Sequence, residues 1–309
     1  MGFFPRYDRE GPGVYADDPK HGPFVRFFQT YANKFFKIVS TNFLSVLFNI
    51  PAILIAYAGV VYFLFSMGVD LATPQKYLID SGITVEDSAT TGAGAAPQLY
   101  FIVVVVLVMF VVGMQLVSVG PVQTGLSFVY RNFARESTTF VWSDFVLSFK
   151  NNWKQSLIVT GITLGVTCLI LINIVFYSKV YSGPYAQIFS TIFFMVFVFF
   201  MCIQIYMYPL IASLDLKLKN VYRNAVLFFL GRLLPTLGIF LVDVVILLII
   251  PVVMLVFFAN AGFALALIYY TLFAFSFVHY LNTFFVWQQI ERYIIKPREI
   301  DEQSPEATK

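Results

Sequence analysis

Six runs of apolar residues, at 43–67, 99–119, 157–177, 188–210, 233–258 and 263–287, alternate with polar connections along this 309-residue chain. A hydrocarbon core about 30 Å thick takes roughly 20 helical residues at about 1.5 Å each, and every run is that long. Pro51, Gly113 and Pro251 fall inside runs, where neighbouring helices can satisfy the backbone groups they free. The pattern predicts an all-α, polytopic membrane bundle: six transmembrane helices forming three hairpins within residues 40–292. A soluble segment, 1–39, precedes it, and a tail, 293–309, follows.

The polar connections assign the sides. Lys and Arg number six before the first run, four between the second and third, four between the fourth and fifth, and four after the last, while Lys76 and Lys179 stand alone on the opposite side. Positive charge concentrates on the cytoplasmic face, so both termini are expected there. Trp142, Trp153 and Trp287 fall on the same side, as interfacial anchors do. The outside loop 69–97, with its acidic residues and small-residue stretch, reads as a solvated connector.

Helical periodicity continues past two of the runs. Val122, Leu126, Val129 and Phe133 form one apolar ladder, and Leu210, Leu214, Leu218 and Val221 another. Each leads into the same tetrapeptide, Val129-Tyr130-Arg131-Asn132 and Val221-Tyr222-Arg223-Asn224, which suggests duplicated hairpins and cytoplasmic amphipathic helices. Beyond the first, Ser143 or Asp144 can cap a helix whose Phe145, Phe149 and Trp153 recur every four residues. That helix is expected to lie along the membrane surface.

Composition narrows the chemistry. The chain is 59% hydrophobic, 18% aromatic and 12% charged. Its net charge of +3 is not massed into a tract, so nucleic acid is dropped as a partner. Cys168 and Cys202 both sit in apolar runs and read as reduced packing thiols. No metal-ligand spacing, phosphate loop or nucleophile elbow occurs, so no enzyme, cofactor or metal site is expected.

Two sets of residues stand out. Asp243 is the acidic residue deep inside a run, and such a carboxylate must face protein or water. Counted from a hairpin tip at Asn260, His279 falls at similar depth, so a proton-linked pair and simple hydrogen-bonded packing are both open. Gln115, Asn173, Gln204, Asn49 and Asn282 read as interhelical hydrogen-bonding groups. The second set is cytoplasmic: Arg131, Asn132, Arg135, Trp142, Asp144, Lys150, Trp153 and Lys154 offer a basic and aromatic face to a partner or to anionic lipid.

Residues 120–155 resemble the YesL family of bacterial membrane proteins. The resemblance rests on Gly120-Pro121-Val122, Gly125-Leu126, the run from Val129 to Glu136, the run from Phe140 to Phe145, and Lys150-Asn151-Asn152-Trp153-Lys154-Gln155. The outside loop and carboxy-terminal tail are longer than the family pattern. The resemblance implies a multi-pass protein of the bacterial cell membrane and transfers no catalytic residues. Through its association with carbohydrate-utilisation genes it implies an accessory role beside ABC-transporter components. The competing expectation is an autonomous small-solute transporter or channel with Asp243 as its coupling residue; neither specifies an oligomeric state.

Overall fold

The computed structural model describes residues 22–68, 92–180 and 183–297, and every regular element among them is helical. In chain order these are α1 (Pro23–Asn33), α2 (Phe35–Phe48), α3 (Ile50–Ser66), α4 (Gly92–Gly113), α5 (Gly120–Ala134) and α6 (Val141–Val180). They continue as α7 (Pro184–Ser213), α8 (Leu218–Gly231), α9 (Leu233–Val244), α10 (Ile250–Tyr269) and α11 (Phe275–Ile290), with π-helical turns at Val245–Ile249, Tyr270–Ala274 and Glu291–Ile295. The outside loop up to residue 91, the first 21 residues and the tail after 297 lie outside the described residues. The end of the predicted connector, from Gly92, belongs to α4.

Four stretches are long and apolar enough to cross a membrane: Val141–Val180, Pro184–Ser213, Leu233–Phe258 and Ala261–Ile295. The pair α2 and α3 makes a fifth if its 60° bend at Asn49 is taken as one broken span, and the apolar stretch Tyr100–Gly113 is shorter. Leu54, Tyr62, Leu169, Phe194 and Phe257 point outward along these helices, a surface suited to lipid. In the last pair the chain doubles back so tightly that a Cβ on Gly262 would collide with the backbone of Met254 and Leu255.

Two local features differ from the periodicity. The segment expected to lie on the membrane surface is continuous with the third run, giving the 40-residue α6. At about 1.5 Å per residue α6 is some 60 Å long, about twice an apolar slab, so its first part projects beyond. The ladder beginning at Val122 does not extend the second run, because residues 114–119 leave helical geometry. Gln115 takes φ 61°. The Leu116 and Gln115 N–H groups donate to the carbonyls of Val111 and Val112 at 3.2 and 3.0 Å, closing α4 as a Schellman turn. The second ladder is likewise split, between α7 and α8.

After that turn α5 packs between α6, α7, α11 and α2, and Val122, Leu126, Val129, Tyr130 and Phe133 are all buried, as the ladder predicts. Gly120 permits the approach to α6, since a Cβ there would strike the Ser156 carbonyl. The α6–α7 hairpin is antiparallel. Gln155 donates to the Leu216 carbonyl at 2.9 Å, Thr163 to Gln204 Oε1 at 3.0 Å, and the Tyr177 and Phe189 rings stack at 5.0 Å.

π turns leave carbonyls without the usual helical donor, and side chains supply the deficit. The Tyr269 hydroxyl donates to the Ile246 carbonyl at 3.1 Å and the Tyr270 hydroxyl to the Leu247 carbonyl. From α2, Asn42 donates to the Tyr270 carbonyl at 2.8 Å and accepts the Ser276 N–H at 2.7 Å, tying α2 to the turn before α11.

Candidate functional site

Asn49 stands at the bend between α2 and α3, where it donates to the Ser45 carbonyl at 2.7 Å. Its Oδ1 accepts the Val119 N–H at 2.9 Å and Gln123 Nε2 at 3.2 Å, so the bend and the start of α5 are one hydrogen-bonded unit. Asn in an apolar run two residues before a proline was the visible signal; its partner, 70 residues away, was not.

Further along α5, Ser127 Oγ lies 2.7 Å from His279 Nε2, and the Tyr130 ring meets the imidazole edge-on at 5.1 Å while its hydroxyl donates to Thr41 at 2.8 Å. Arg131 is half-buried. Its Nη1 donates to the Ala212 carbonyl at 2.9 Å, its Nε and Nη2 to Asn132 Oδ1 at 3.3 and 3.0 Å, and its guanidinium lies 4.1 Å above the Phe128 ring. Burial, aided by the Arg135 charge and opposed by Asp144, pushes the Arg131 pKa down to about 10. The cation therefore stays charged near neutral pH, at the carbonyl end of α7 where the helix dipole favours it.

Asn132 also donates to Asp144 Oδ2 at 3.3 Å, and the same oxygen accepts the Phe140 N–H at 3.2 Å. α6 already begins at Val141, so Ser143 and Asp144 do not precede it as caps; Asp144 lies in its first turn and reaches back to the Phe140 N–H at the helix start. Arg131, Asn132 and Asp144 thus form an internal network instead of a free face. Arg135, Trp142, Lys150, Trp153 and Lys154 are exposed, with Lys154 Nζ 5.6 Å above the Trp153 ring. Trp287 is not an exposed anchor: it is buried, with the Arg135 guanidinium 5.3 Å above its ring. Sequence reasoning missed Lys34, between α1 and α2, and Lys37 on α2, which donate to the Ser137 and Thr139 carbonyls, each at 3.1 Å, and hold the α5–α6 connection.

The second candidate site lies in the seam of α7, α9 and α11. Asp243 is fully buried and accepts Asn282 Nδ2 at 3.0 Å. The residue that meets the carboxyl is therefore Asn282, one turn beyond His279, and His279 is engaged by Ser127 instead. The count from Asn260 is therefore offset by three residues, about one helical turn, from the pairing the fold makes. Of the other polar positions, Gln204 and Asn282 link helices as expected. Asn173 bonds only to its own helix, at the Leu169 carbonyl, and the Gln115 Oε1 is buried without a partner.

Residues 95–174 match the family model described as "Protein of unknown function, DUF624". The match takes in most of α4, all of α5 and α6 to Ile174, including the Arg131–Asn132–Asp144 network and the exposed start of α6. No curated protein and no solved structure matches the chain.

Proposed function

We propose that this chain is a non-enzymatic, multi-pass protein of the bacterial cell membrane that docks a partner protein on the exposed start of α6. The observation that carries this reading is the first fifteen residues of α6, which continue the helix past its apolar stretch and present Trp142, Lys150, Trp153 and Lys154, with Arg135 nearby. A rigid helical extension with aromatic and cationic groups suits an acidic protein surface. In this reading the bent α2–α3 pair and α4 complete six crossings, in three hairpins with both termini cytoplasmic. The 18 to 2 division of basic residues supports that orientation. The YesL resemblance points to a component of a carbohydrate ABC transporter as the partner.

The test is crosslinking in native membranes during growth on complex carbohydrate, followed by capture of the tagged protein and mass spectrometry. An ABC-transporter component recovered with the wild type, and lost on charge reversal at Arg135, Lys150 and Lys154, is the expected result. Recovery unchanged by the triple reversal overturns docking at this face.

A second reading is supported by Asp243, a fully buried carboxyl in an apolar helix. In an autonomous small-solute transporter or channel it is the coupling residue. Solute flux into liposomes carrying the purified protein alone, stopped by Asp243→Asn, supports that reading over docking.

A further inference from the structure

Asp243 Oδ2 receives one hydrogen bond, from Asn282, while Asp243 Oδ1 and Asn282 Oδ1 are both buried without a partner. The ion pairs among the described residues are Arg26–Glu136 and Lys296–Glu291, so none of them neutralises this carboxyl. Two acceptors left over on one hydrogen-bonded pair lack a single donor. A proton on Asp243 Oδ1 supplies it: the acid O–H donates to the Asn282 carbonyl oxygen while the Asn282 N–H donates to the acid, giving a cyclic acid–amide pair.

The pair is the innermost rung of a polar series. Thr236 lies seven residues before Asp243 and Gln289 seven residues after Asn282, so the two antiparallel helices bring them together again. Between them, the Tyr206 hydroxyl is hydrogen-bonded to Thr236 Oγ1 and accepts Gln289 Nε2 at 3.4 Å, and Gln289 Oε1 has no partner. Four residues further on each helix, Arg232 Nη2 donates to the Tyr293 hydroxyl at 2.9 Å at the exposed basic end. On α7, Cys202 lies within electrostatic range of Asp243, and Tyr206 faces the second rung. On α11, His279 is turned to Ser127.

We propose that Asp243 and Asn282 form a proton-binding site that exchanges with the Arg232–Tyr293 end of the bundle through the Tyr206–Thr236–Gln289 rung. Seven helical residues separate the two inner rungs by about 10 Å, so water entering the seam carries the proton between them. The π turn Val245–Ile249 begins two residues after Asp243, and such turns recur at functional positions. The site is independent of the docking face on α6.

The test is infrared spectroscopy of the full-length protein in lipid bilayers at neutral pH. The expected result is a carboxylic-acid C=O band that is lost in Asp243→Asn and shifted in Asn282→Leu, which retains the acid. In D2O the band shifts promptly in the wild type and several-fold more slowly in the double variant Tyr206→Phe, Gln289→Leu. A band unaffected by both Asp243→Asn and Asn282→Leu, or a carboxylate signal assigned to Asp243, overturns the proton site. Where Asp243→Asn does not fold, the Asn282→Leu shift decides alone. Unchanged exchange in the double variant overturns the route.

Discussion

Val129-Tyr130-Arg131-Asn132 on α5 and Val221-Tyr222-Arg223-Asn224 on α8 have the same residues in the same order, and the bundle uses them differently. In both, the valine is fully buried. Tyr130 has no exposed surface and donates to Thr41, whereas Tyr222 is half-buried with its hydroxyl unpartnered. Arg131 ties α5 to the end of α7, while Arg223 is exposed. α5 is wrapped by four helices, whereas α8 packs mainly on α7 and α9 at the edge. Identical local sequence gives a helix in both places; the number of packed neighbours makes one copy a strut and leaves the other a surface helix.

Substitution at equivalent positions breaks or sharpens this contrast, with unfolding in mild detergent followed by tryptophan fluorescence. The largest difference is expected at the tyrosines: Tyr130→Ala loses about 3–4 kcal/mol as a filled core position is emptied, and Tyr222→Ala about 1 kcal/mol. Equal losses would show that α8 is as central as α5. Next are the arginines. Arg131→Ala removes charge-assisted hydrogen bonds and costs about 2 kcal/mol, while Arg223→Ala stays within about 0.5 kcal/mol.

A smaller effect, of opposite sign, is expected where α5 ends. Glu136 takes φ 57° in the position a glycine usually fills, with Ser137 N–H bonded to the Asn132 carbonyl at 3.1 Å. Glu136→Gly removes the left-handed strain and stabilises by up to about 1 kcal/mol, less whatever the Arg26 contact contributes. A loss of stability would mean that the ion pair outweighs the strain.

The smallest effect is confined to alkaline pH. Burial raises the Tyr222 phenol from 10.0 to about 12. Above pH 10 the unfolded chain releases this proton while the folded chain keeps it, so stability present below pH 10 falls as pH rises towards about 12. Tyr222→Phe is expected to flatten that decline with little change at neutral pH. An unchanged pH slope would show that the phenol is more open than its packing indicates.

Much of the architecture was legible because apolar run length and helical period are local properties. The runs at 157–177, 188–210 and 233–258 each fall within a helix long enough to cross a bilayer, and every residue of the Val122 ladder is buried. The site was less legible for reasons visible in particular residues. Arg131, Asn132 and Asp144 have the polarity of a docking face, and only the position of the Ala212 carbonyl shows that Arg131 is occupied. Asn282 looked like packing and His279 like the partner of Asp243, because a helical count is reliable only while the tip and every turn are regular. One turn of offset exchanged the two.

By itself, the sequence determined that this chain is helical, strongly apolar and basic at alternate connections, since each property depends on residues within a turn or two of one another. Only the tertiary structure decided that the chain breaks at Asn49 and after Gly113, that α5 folds inward against α6, and which polar groups meet. Those outcomes depend on approaches across 70 or more residues, such as Asn49 to Val119, and on π turns whose freed carbonyls are tolerable because Tyr269, Tyr270 and Asn42 reach them. Buried polar groups must find partners wherever the fold brings them, and the helical period of one segment carries no record of which segment that will be.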